Sequence, residues 1–297
     1  MDLNVYKLFA MVAETGNISR VAELTGYTQS GISHSMKRLE EDLNVRLLVR
    51  DRYGVHVTPI GMDILQRVRK VLNANEELEQ LLYDVQGLEV GSLTIGAFSS
   101  IAVNWLPQIV GSFKHAHPNI AISLKEGGTA ELHKWIEQQQ VDFAFCNPLK
   151  NQTAEFIPLK TDEFVAIFPA DYPLDPTLTA YPLENLTGQP FILSEPSYDY
   201  STTDMLRENG ITPDILFSSR NDYAIMSMVE HHIGVSILPE LMIEQRKPHL
   251  KYLPLQPRYY RKLGILFSAQ KDLSLAAQTF IHFTLEYFHL PARNLRG

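Results

Sequence analysis

The sequence has little cysteine and no long apolar segment. Cys146 is the only cysteine among 297 residues, which excludes an intramolecular disulfide and is typical of a protein kept in a reducing compartment. No apolar run approaches the ~20 residues that a membrane-spanning helix needs. The N-terminus, MDLNVYKLF, carries an acid at its second position and lacks the apolar stretch of an export signal. We therefore expect a cytoplasmic protein without a membrane segment.

Positive charge is also scarce. The chain has 26 Lys and Arg against 34 Asp and Glu, a formal net charge of −8 at pH 7, and residues 1–90 also carry more acids than bases. A basic protein that coats nucleic acid without sequence preference is therefore excluded. The length of 297 residues exceeds the size at which one core stops growing, so we expect two or more domains. The basic residues that stand out are clustered: Lys37, Arg38, Arg46, Arg50 and Arg52.

Residues 28–43 predict a helix with two unlike faces. Apolar residues recur at helical spacing and form one stripe: Ile32, Met36, Leu39 and Leu43. A separate face carries hydroxyls, an imidazole and an ammonium, from Ser30, Ser33, His34 and Lys37. Such groups can bond to bases and phosphates in a DNA groove, although a polar helix face by itself is usually just solvated.

The neighbouring segments favour the DNA-reading interpretation. Asn17 is placed to cap a preceding helix and Gly26 to end it, so a short turn leads to the helix capped by Thr28. Two helices joined in this way form a helix-turn-helix, whose second helix enters the major groove. Residues 47–50 and 55–57 then predict a short hairpin like the wing of a winged helix-turn-helix. The alternative for this hairpin is a solvated turn without DNA contacts.

The stretch SRVAELTGYTQSGISHSMKRLEEDLNVRLLVR resembles the N-terminal signature of LysR-type transcriptional regulators, and the match continues through Thr58, Pro59 and Gly61. Val21 and Gly31 stand where this family usually has alanine, but neither change removes a base-reading group. The resemblance implies a bacterial regulator, not an enzyme, with a winged helix-turn-helix at residues 1–58. The DNA contacts that it implies are Thr28, Gln29, Ser30, Ser33, His34, Lys37, Arg50 and Arg52.

Thr58 and Pro59 predict the start of a long helix, as its cap and its first residue. Along this helix, apolar positions alternate spacings of four and three, a heptad seam that indicates two helices packed together. The alternative is a helix lying on its own domain. The resemblance implies that residues 59–89 form a linker helix that dimerises the DNA-binding domains. The seam residues are Ile64, Val68, Val71, Asn75, Leu78 and Leu82.

After Gly91, alternating strands and helices predict an α/β fold built on mainly parallel sheets. Strands are expected at 93–97, 120–125, 141–146, 163–168, 191–193, 215–218, 235–238 and 261–267, and helices at 102–115, 130–140, 202–209, 222–232 and 274–288. Two similar units in tandem indicate two lobes with a cleft between them. The resemblance implies that residues 90–297 form an effector domain similar to periplasmic binding proteins. Its lobe I would comprise about 90–162 and 268–297 and its lobe II about 163–267, with strands 163–168 and 263–267 crossing between them.

Ligands of such sheets bind beyond the carboxyl ends of strands, at helix N-termini. The polar residues at these positions are Ser99, Ser100, Thr129, Asn147, Ser194 and Asn221. We expect them to form a neutral pocket that favours anions, and the resemblance implies a small metabolite there, often a carboxylate. Each of these residues has an alternative role as a plain helix cap. Tyr198 and Tyr200 are candidates for covering the cleft.

Redox and metal chemistry are only weakly indicated. Peroxide-sensing relatives use two cysteines, whereas Cys146 is alone, and a free cysteine most often acts as a small buried hydrophobe. Histidines suggest a metal by number but not by spacing, so we expect no metal and no cofactor. The histidines concerned are His115, His117, His231 and His232.

The sequence therefore predicts a regulator that binds double-stranded DNA as a homodimer or homotetramer and responds to a small-molecule effector, with RNA polymerase as a further partner. The competing classes are a solute-binding module and an enzyme with an accessory helix-turn-helix. The first would need an export signal, and the second would need a nucleophile–base pair or a metal constellation. The sequence shows no export signal, and it shows no nucleophile–base pair or metal constellation at a suitable spacing.

Overall fold

A computed structural model of the chain describes residues 2–52, 54–85, 91–148, 154–195, 202–268, 273–293 and 295. For residues 76, 77, 80, 81 and 83–85 it describes the backbone alone. The chain separates into two compact units, Met1–Leu88 with Gln138–Gln140, and Glu89–Glu137 with Val141–Gly297. Tyr198 and Tyr200, proposed above to cover the cleft, lie outside the described residues.

The first unit begins with three helices, α1 at Leu3–Thr15, α2 at Ile18–Thr25 and α3 at Gln29–Leu43. The Asn17 side chain caps α2 by accepting a hydrogen bond from the Arg20 N–H at 3.1 Å. Gly26 follows α2 with a φ of 73°, a left-handed conformation that glycine adopts readily. These local signals produce the predicted helix-turn-helix, which the structure confirms.

The core of this unit takes one apolar stripe from each helix. Ile32, Met36 and Leu39 of α3 are at most 3% exposed, and they belong to one cluster with Phe9 and Val12 of α1. Full burial of such a side chain stabilises the fold by about 1.5–3 kcal/mol. The stripe therefore fixes the orientation of α3 and leaves its opposite face in solvent.

A two-stranded hairpin follows, with β1 at Leu48–Asp51 and β2 at Gly54–Val57. Glu40 of α3 holds the base of this hairpin. Its Oε1 accepts hydrogen bonds from the N–H groups of Leu47 at 2.7 Å and Leu48 at 2.9 Å. The predicted wing is thus attached directly to the predicted recognition helix.

The long helix α4 spans Pro59–Val85, and the Thr58 hydroxyl caps it by accepting from the Gly61 N–H at 3.0 Å. Its first turns lie on their own domain, because Ile64 and Val68 pack against the core of the first unit. At these two positions α4 therefore packs on its own domain, which was the alternative to a seam between two helices. Further along α4 the stripe is uncovered: the exposed fractions are 45% for Val71, 56% for Leu78 and 52% for Leu82.

The second unit opens with a parallel sheet in which β3 (Gly91–Ala97) lies between β4 (Ile120–Glu126) and β5 (Phe143–Cys146). The helices that connect these strands are α5 (Ser99–Asn104), α6 (Leu106–Ala116) and α7 (Thr129–Glu137). The chain then leaves this sheet along β6 (Ala154–Pro169).

The remaining strands are β7 (Tyr181–Pro182), β8 (Pro190–Ser194), β9 (Asp214–Ser219), β10 (Ser236–Pro239), β11 (Leu250–Gln256) and β12 (Tyr260–Ser268). The remaining helices are α8 (Thr202–Glu208), α9 (Asp222–Glu230), α10 (Glu240–Ile243) and α11 (Leu275–Tyr287), with 3₁₀ turns at Leu183–Leu186 and Glu244–His249. We call β3–β5 with α5–α7 and α11 lobe I, and β7–β11 with α8–α10 lobe II. Helix α11 belongs to lobe I because Phe280 and Ile281 pack into its core.

Two strands, β6 and β12, cross between the lobes. They pair antiparallel with each other along the whole of β12, which also pairs with β5 of lobe I. The last residues of β6 pair instead with β10 and β11 of lobe II. The predicted crossing strands are therefore confirmed, although β6 starts earlier than residue 163 because its first half pairs with β12.

Three expectations about this unit need correction. The helix expected at 102–115 is two helices that meet at Trp105, where Pro107 lacks the N–H needed to continue the ladder. The sheet is mixed, since crossing strands must run both away from lobe I and back to it. Third, the sequence did not predict strands β7 and β11 or the short helix α10. Within the described ranges, none of the helices combines the length and apolar composition that a membrane crossing requires.

Candidate functional site

The N-terminal turn of α3 presents a row of polar side chains. Gln29 and Ser30 are exposed. The Thr28 hydroxyl accepts from the Gly31 N–H at 3.1 Å and lies 3.2 Å from Ser30 Oγ. Thr28 therefore acts as the helix cap, and Gln29 is the exposed amide beside it. In a helix-turn-helix, the N-terminal residues of the second helix contact base edges.

Gly31, which departs from the family pattern, lies against this cap. A Cβ at position 31 would stand 3.1 Å from Thr28 Oγ1, closer than nine in ten real Cβ contacts. An alanine would therefore push the capping hydroxyl aside by a few tenths of an ångström. Glycine leaves the cap undisturbed, at a cost of about 1 kcal/mol in helix propensity.

One turn further along α3, His34 and Lys37 are exposed and Ser33 is half-buried. Lys37 Nζ lies 3.6 Å from Glu41 Oε1, and both side chains are mostly exposed. A surface pair of this kind contributes at most about 1 kcal/mol. Lys37 can therefore exchange its partner for a DNA phosphate at little cost.

Arg50 and Arg52 lie on the hairpin, and both are exposed. Arg50 faces Val55 across the ladder, and His56 Nε2 lies 3.3 Å from Asp51 Oδ1. Guanidinium groups on an exposed hairpin are suited to phosphate contacts. The eight predicted DNA-contacting residues thus fall on α3 with its cap and on the wing.

A cavity of about 500 Å³ lies between the two lobes of the second unit. Its volume falls in the range of small-molecule sites, about 300–1,000 Å³. Side chains from both lobes and from one crossing strand line it: Phe98, Ser99, Ser100, Val103, Glu126, Arg220, Asn221, Asp222, Tyr223, Met242 and Arg261.

The structure brings half of the predicted effector residues to this cavity. Ser99, Ser100 and Asn221 line it. Asn221 also has the alternative role of a cap, because its side chain accepts from the N–H groups of Tyr223 at 3.0 Å and Ala224 at 3.3 Å.

The other three predicted residues are placed differently. Ser194 donates to Asp222 Oδ1 at 3.0 Å and so supports a residue of the cavity wall. Thr129 donates to Asn147 Oδ1 at 3.2 Å, and these two residues are not among those that line the cavity. Thr129 and Asn147 stay predictions as effector-binding residues.

The expectation of a pocket lined by uncharged hydroxyls and helix N–H groups needs correction, since two acids and two bases also line the cavity: Glu126, Asp222, Arg220 and Arg261. Asn221 was selected by the rule that ligands bind beyond the carboxyl ends of strands, which we call the strand-end rule. The same rule could have found its neighbours Arg220 and Asp222, and also Glu126 at the end of β4. It misses Arg261, which lies near the start of β12. Helix α5 behind Ser99 is only six residues long, so its dipole adds little.

Arg261 is buried in the wall of the cavity. Its Nη2 lies 2.7 Å from Asp162 Oδ2 and donates to Ser100 Oγ at 2.9 Å. Its guanidinium also stands 5.8 Å from the ring centre of Phe98. Arg261 therefore holds Ser100 and Phe98 of lobe I against the crossing strands, a positioning role that sequence reasoning did not anticipate.

Two ionisable groups of the cavity have shifted pKa values. Burial raises the pKa of Asp222, while the hydrogen bond from Ser194 and the charge of Arg261 act in the opposite direction. Burial also raises the pKa of Tyr223, and the negative charges of Glu126 and Asp222 add to that increase. Carboxylates from both lobes therefore lie within electrostatic range of one phenol.

Redox and metal sites receive no support from the described residues. Cys146 is fully buried in lobe I, as expected for a small hydrophobe. His133 of α7 is also buried, and burial lowers its pKa. No group of three or more His, Cys, Asp and Glu side chains suited to a metal ion occurs in the part of the chain that the structure describes.

Comparison with known proteins gives matches along nearly the whole chain. The family described as bacterial regulatory helix-turn-helix protein, lysR family, matches residues 3–62, and the LysR substrate binding domain matches residues 86–289. YvbU, an uncharacterised HTH-type transcriptional regulator of Bacillus subtilis strain 168, is 30% identical over 97% of this chain and 99% of its own length. The transcriptional dual regulator GltC of the same strain is 26% identical over 97% of this chain and 98% of its own.

Solved structures match the same fold. Full-length OxyR C199D from Pseudomonas aeruginosa has a TM-score of 0.72 at 22% identity, over 96% of this chain and 95% of that one. Full-length CbnR in complex with its target DNA has a TM-score of 0.66 at 20% identity, over 97% and 99% of the two chains.

Proposed function

The chain belongs to the LysR family of bacterial regulatory helix-turn-helix proteins, and we propose that it recognises a two-part DNA site as a homodimer. It is a DNA-binding transcriptional regulator with a substrate-binding domain, not an enzyme. The single observation that carries the DNA proposal is the exposed polar surface of α3, with Gln29 on its first turn and Ser30, His34 and Lys37 on the side opposite the buried stripe.

We assign different roles to the residues on this face. Gln29 is suited to a bidentate bond with adenine, and Ser30, Ser33 and His34 to further contacts in the groove. Lys37, Arg50 and Arg52 would hold phosphates, which carry most of the affinity but little sequence information. Thr28 contributes by capping α3 and fixing where its first turn begins.

Dimerisation is proposed to use the uncovered stripe of α4, at Val71, Asn75, Leu78 and Leu82. The side-chain amide of Asn75 donates to Glu79 Oε1 at 2.9 Å within the same helix, and a polar seam residue of this type can fix register. The proposed domain organisation has three parts. Residues 1–58 form the DNA-binding domain, residues 59–89 the linker helix, and residues 90–297 the effector domain.

A second apolar surface supports assembly beyond a dimer. Edge strand β9 leaves Ile215, Leu216 and Phe217 between 45% and 50% exposed. Adjacent exposed apolar side chains on a strand edge are typical of association sites. Two separate self-association surfaces on one chain would generate a homotetramer, as a dimer of dimers.

The cavity between the lobes is the proposed effector site. A ligand that binds one lobe arrangement better than another would shift the dimer toward that arrangement and change how it engages DNA. We further propose RNA polymerase as a partner and the cytoplasm as the location, since a bacterial promoter-bound regulator acts where transcription takes place.

Selection of bound duplexes from a random DNA pool tests the proposal. The full-length protein should enrich an imperfect palindrome whose half-sites are separated by about one helical turn or a multiple of it, roughly 10.5 base pairs. Enrichment of a single unrepeated motif would contradict the dimer, and failure to enrich any sequence would contradict specific DNA recognition.

A further inference from the structure

Two carboxylates face the effector cavity from opposite lobes. Glu126 ends β4 in lobe I, and Asp222 begins α9 in lobe II. Ser99 Oγ donates to Glu126 Oε2 at 3.0 Å, and Ser194 Oγ donates to Asp222 Oδ1 at 3.0 Å. Over the described parts of the chain, the side-chain partners of these two carboxylates are hydroxyls, and neither carboxylate forms an ion pair.

The two cations of the cavity wall are already paired with acids. Arg261 is held by Asp162, and both side chains are only 6% exposed. Arg220 Nε lies 3.4 Å from Glu195 Oε2 near the surface. Arg261 also acts electrostatically on Asp222. Because each arginine already has its own carboxylate, however, Glu126 and Asp222 add two acids for which the described residues of the cavity wall offer no further base, and the formal charge of the site is negative.

The rest of the lining suits a short hydrocarbon body. Phe98, Val103 and Met242 supply apolar surface, and Ser99 and Ser100 supply hydroxyls. We propose that the effector of this protein is a small organic cation whose protonated amine lies between Glu126 and Asp222. The inference rests on the proposed function, because it takes the cavity as the effector site and adds the chemical class of the ligand.

An ammonium ion would satisfy both lobes at once. It has three N–H donors, enough to bridge the two carboxylates and so favour the lobe arrangement in which both are within reach. A carboxylate, the class that the resemblance implied, would bring further negative charge toward Glu126 and Asp222. Like charges at short range in a partly desolvated cleft repel strongly.

A set of linear compounds with five or six carbons tests the charge preference on the full-length protein. The amine-bearing probes are 1,5-diaminopentane and L-lysine, the neutral probe is 1,5-pentanediol, and the anionic probe is glutarate. At millimolar concentration the amines should raise the midpoint of thermal unfolding by about 2–4 °C or more, and the other two should not. Stabilisation by glutarate without stabilisation by either amine overturns the proposal, as does a lack of stabilisation by both amines.

Variants identify the carboxylates responsible. Glu126→Gln and Asp222→Asn should each weaken binding of the stabilising amine by about 10–100-fold in calorimetry, the cost of losing one charge-assisted hydrogen bond. Glu286→Gln makes the same charge change on an exposed residue of α11 and should leave the affinity unchanged. Equal affinity of wild type and both cavity variants would overturn the assignment.

DNA binding gives an independent readout. The thermal measurement needs no DNA, so a protein that binds amines but selects no DNA sequence would refute the proposed function and leave the ligand class standing. A protein that selects a palindrome but ignores amines would refute the ligand class alone.

Discussion

Arg261 and Asp162 are direct cross-strand partners on the two strands that join the lobes, and they form a buried ion pair. Arg261 Nε donates to Asp162 Oδ2 at 2.8 Å, while Oδ1 of the same carboxylate accepts from the Leu241 N–H at 3.0 Å. Since Arg261 also donates to Ser100, one pair connects β6, β12, α5 and α10 around the effector cavity.

Substitution of Asp162 by Asn should destabilise the effector domain strongly. Breaking a buried pair leaves the other charge without a counter-ion, which typically costs about 3–5 kcal/mol. Urea unfolding of the full-length protein, followed by a probe of the second unit, measures the loss. Glu163→Gln is the matched control, because Glu163 makes a 2.7 Å pair with the more exposed Arg258. An equal effect of the two substitutions would show that burial does not set the strength of the Asp162 pair.

Local sequence signals were enough to predict the DNA-binding unit. The caps of α2, α3 and α4 depend on Asn17, Thr28 and Thr58, each acting on an N–H three residues away. Gly31 shows the limit even there. The resemblance showed that glycine replaces the family's usual alanine at this position. Only the structure explains why glycine suits it, because a Cβ there would lie 3.1 Å from Thr28 Oγ1.

The effector cavity was only partly predictable, because long-range pairing builds it. Arg261 meets Asp162 and Ser100 only after the chain has crossed to lobe II and returned. The strand-end rule therefore found hydroxyls of the lining but missed the buried cation. Composition likewise gave no sign that the acids at Glu126 and Asp222 would converge from two lobes.

Substitution of Asp222 by Asn should make the protein more stable at neutral pH. Burial raises the pKa of Asp222 above its ordinary value of 3.8, so the folded state holds this proton more tightly than the unfolded chain does. The ionised carboxylate therefore costs stability, and the cost grows as pH rises from 3.8 through the raised pKa.

The thermal midpoint of Asp222→Asn should exceed that of wild type at pH 7, with the difference shrinking as the pH falls toward 4. The same profile for Glu286→Gln should follow wild type. A variant less stable than wild type at pH 7 would indicate that the ionised carboxylate is structurally required. Stability gained where ligand affinity is lost is typical of a functional site.

Substitution of Gln29 by Ala should relax sequence preference at one base pair of each half-site. Loss of a bidentate contact to adenine costs about 1–3 kcal/mol on the preferred sequence and little on others. Competition gel shifts with the selected palindrome and single-base variants measure this difference. Arg52→Ala is the comparison, since losing a phosphate contact should weaken binding to all sequences alike and flatten its salt dependence. Unchanged specificity in Gln29→Ala would remove Gln29 from the base-reading group.

Substitution of Leu78 by Glu should dissociate the dimer that α4 is proposed to form. Leu78 is 56% exposed on the uncovered stripe with Val71 and Leu82, so the change should not disturb the fold of the single chain. In a symmetric seam each glutamate would face apolar side chains of the partner helix and lose its hydration. Light scattering should show a smaller mass at micromolar concentration, and affinity for the full palindrome should fall toward that for one half-site.

The matched control is Gln66→Glu, an exposed position on the opposite side of α4 by helical spacing. This variant introduces the same charge into the same helix and should keep the wild-type mass. A wild-type mass for Leu78→Glu would exclude the α4 stripe as the main dimer contact. Self-association would then have to depend on another apolar surface, such as the edge of β9, where Phe217 is 49% exposed.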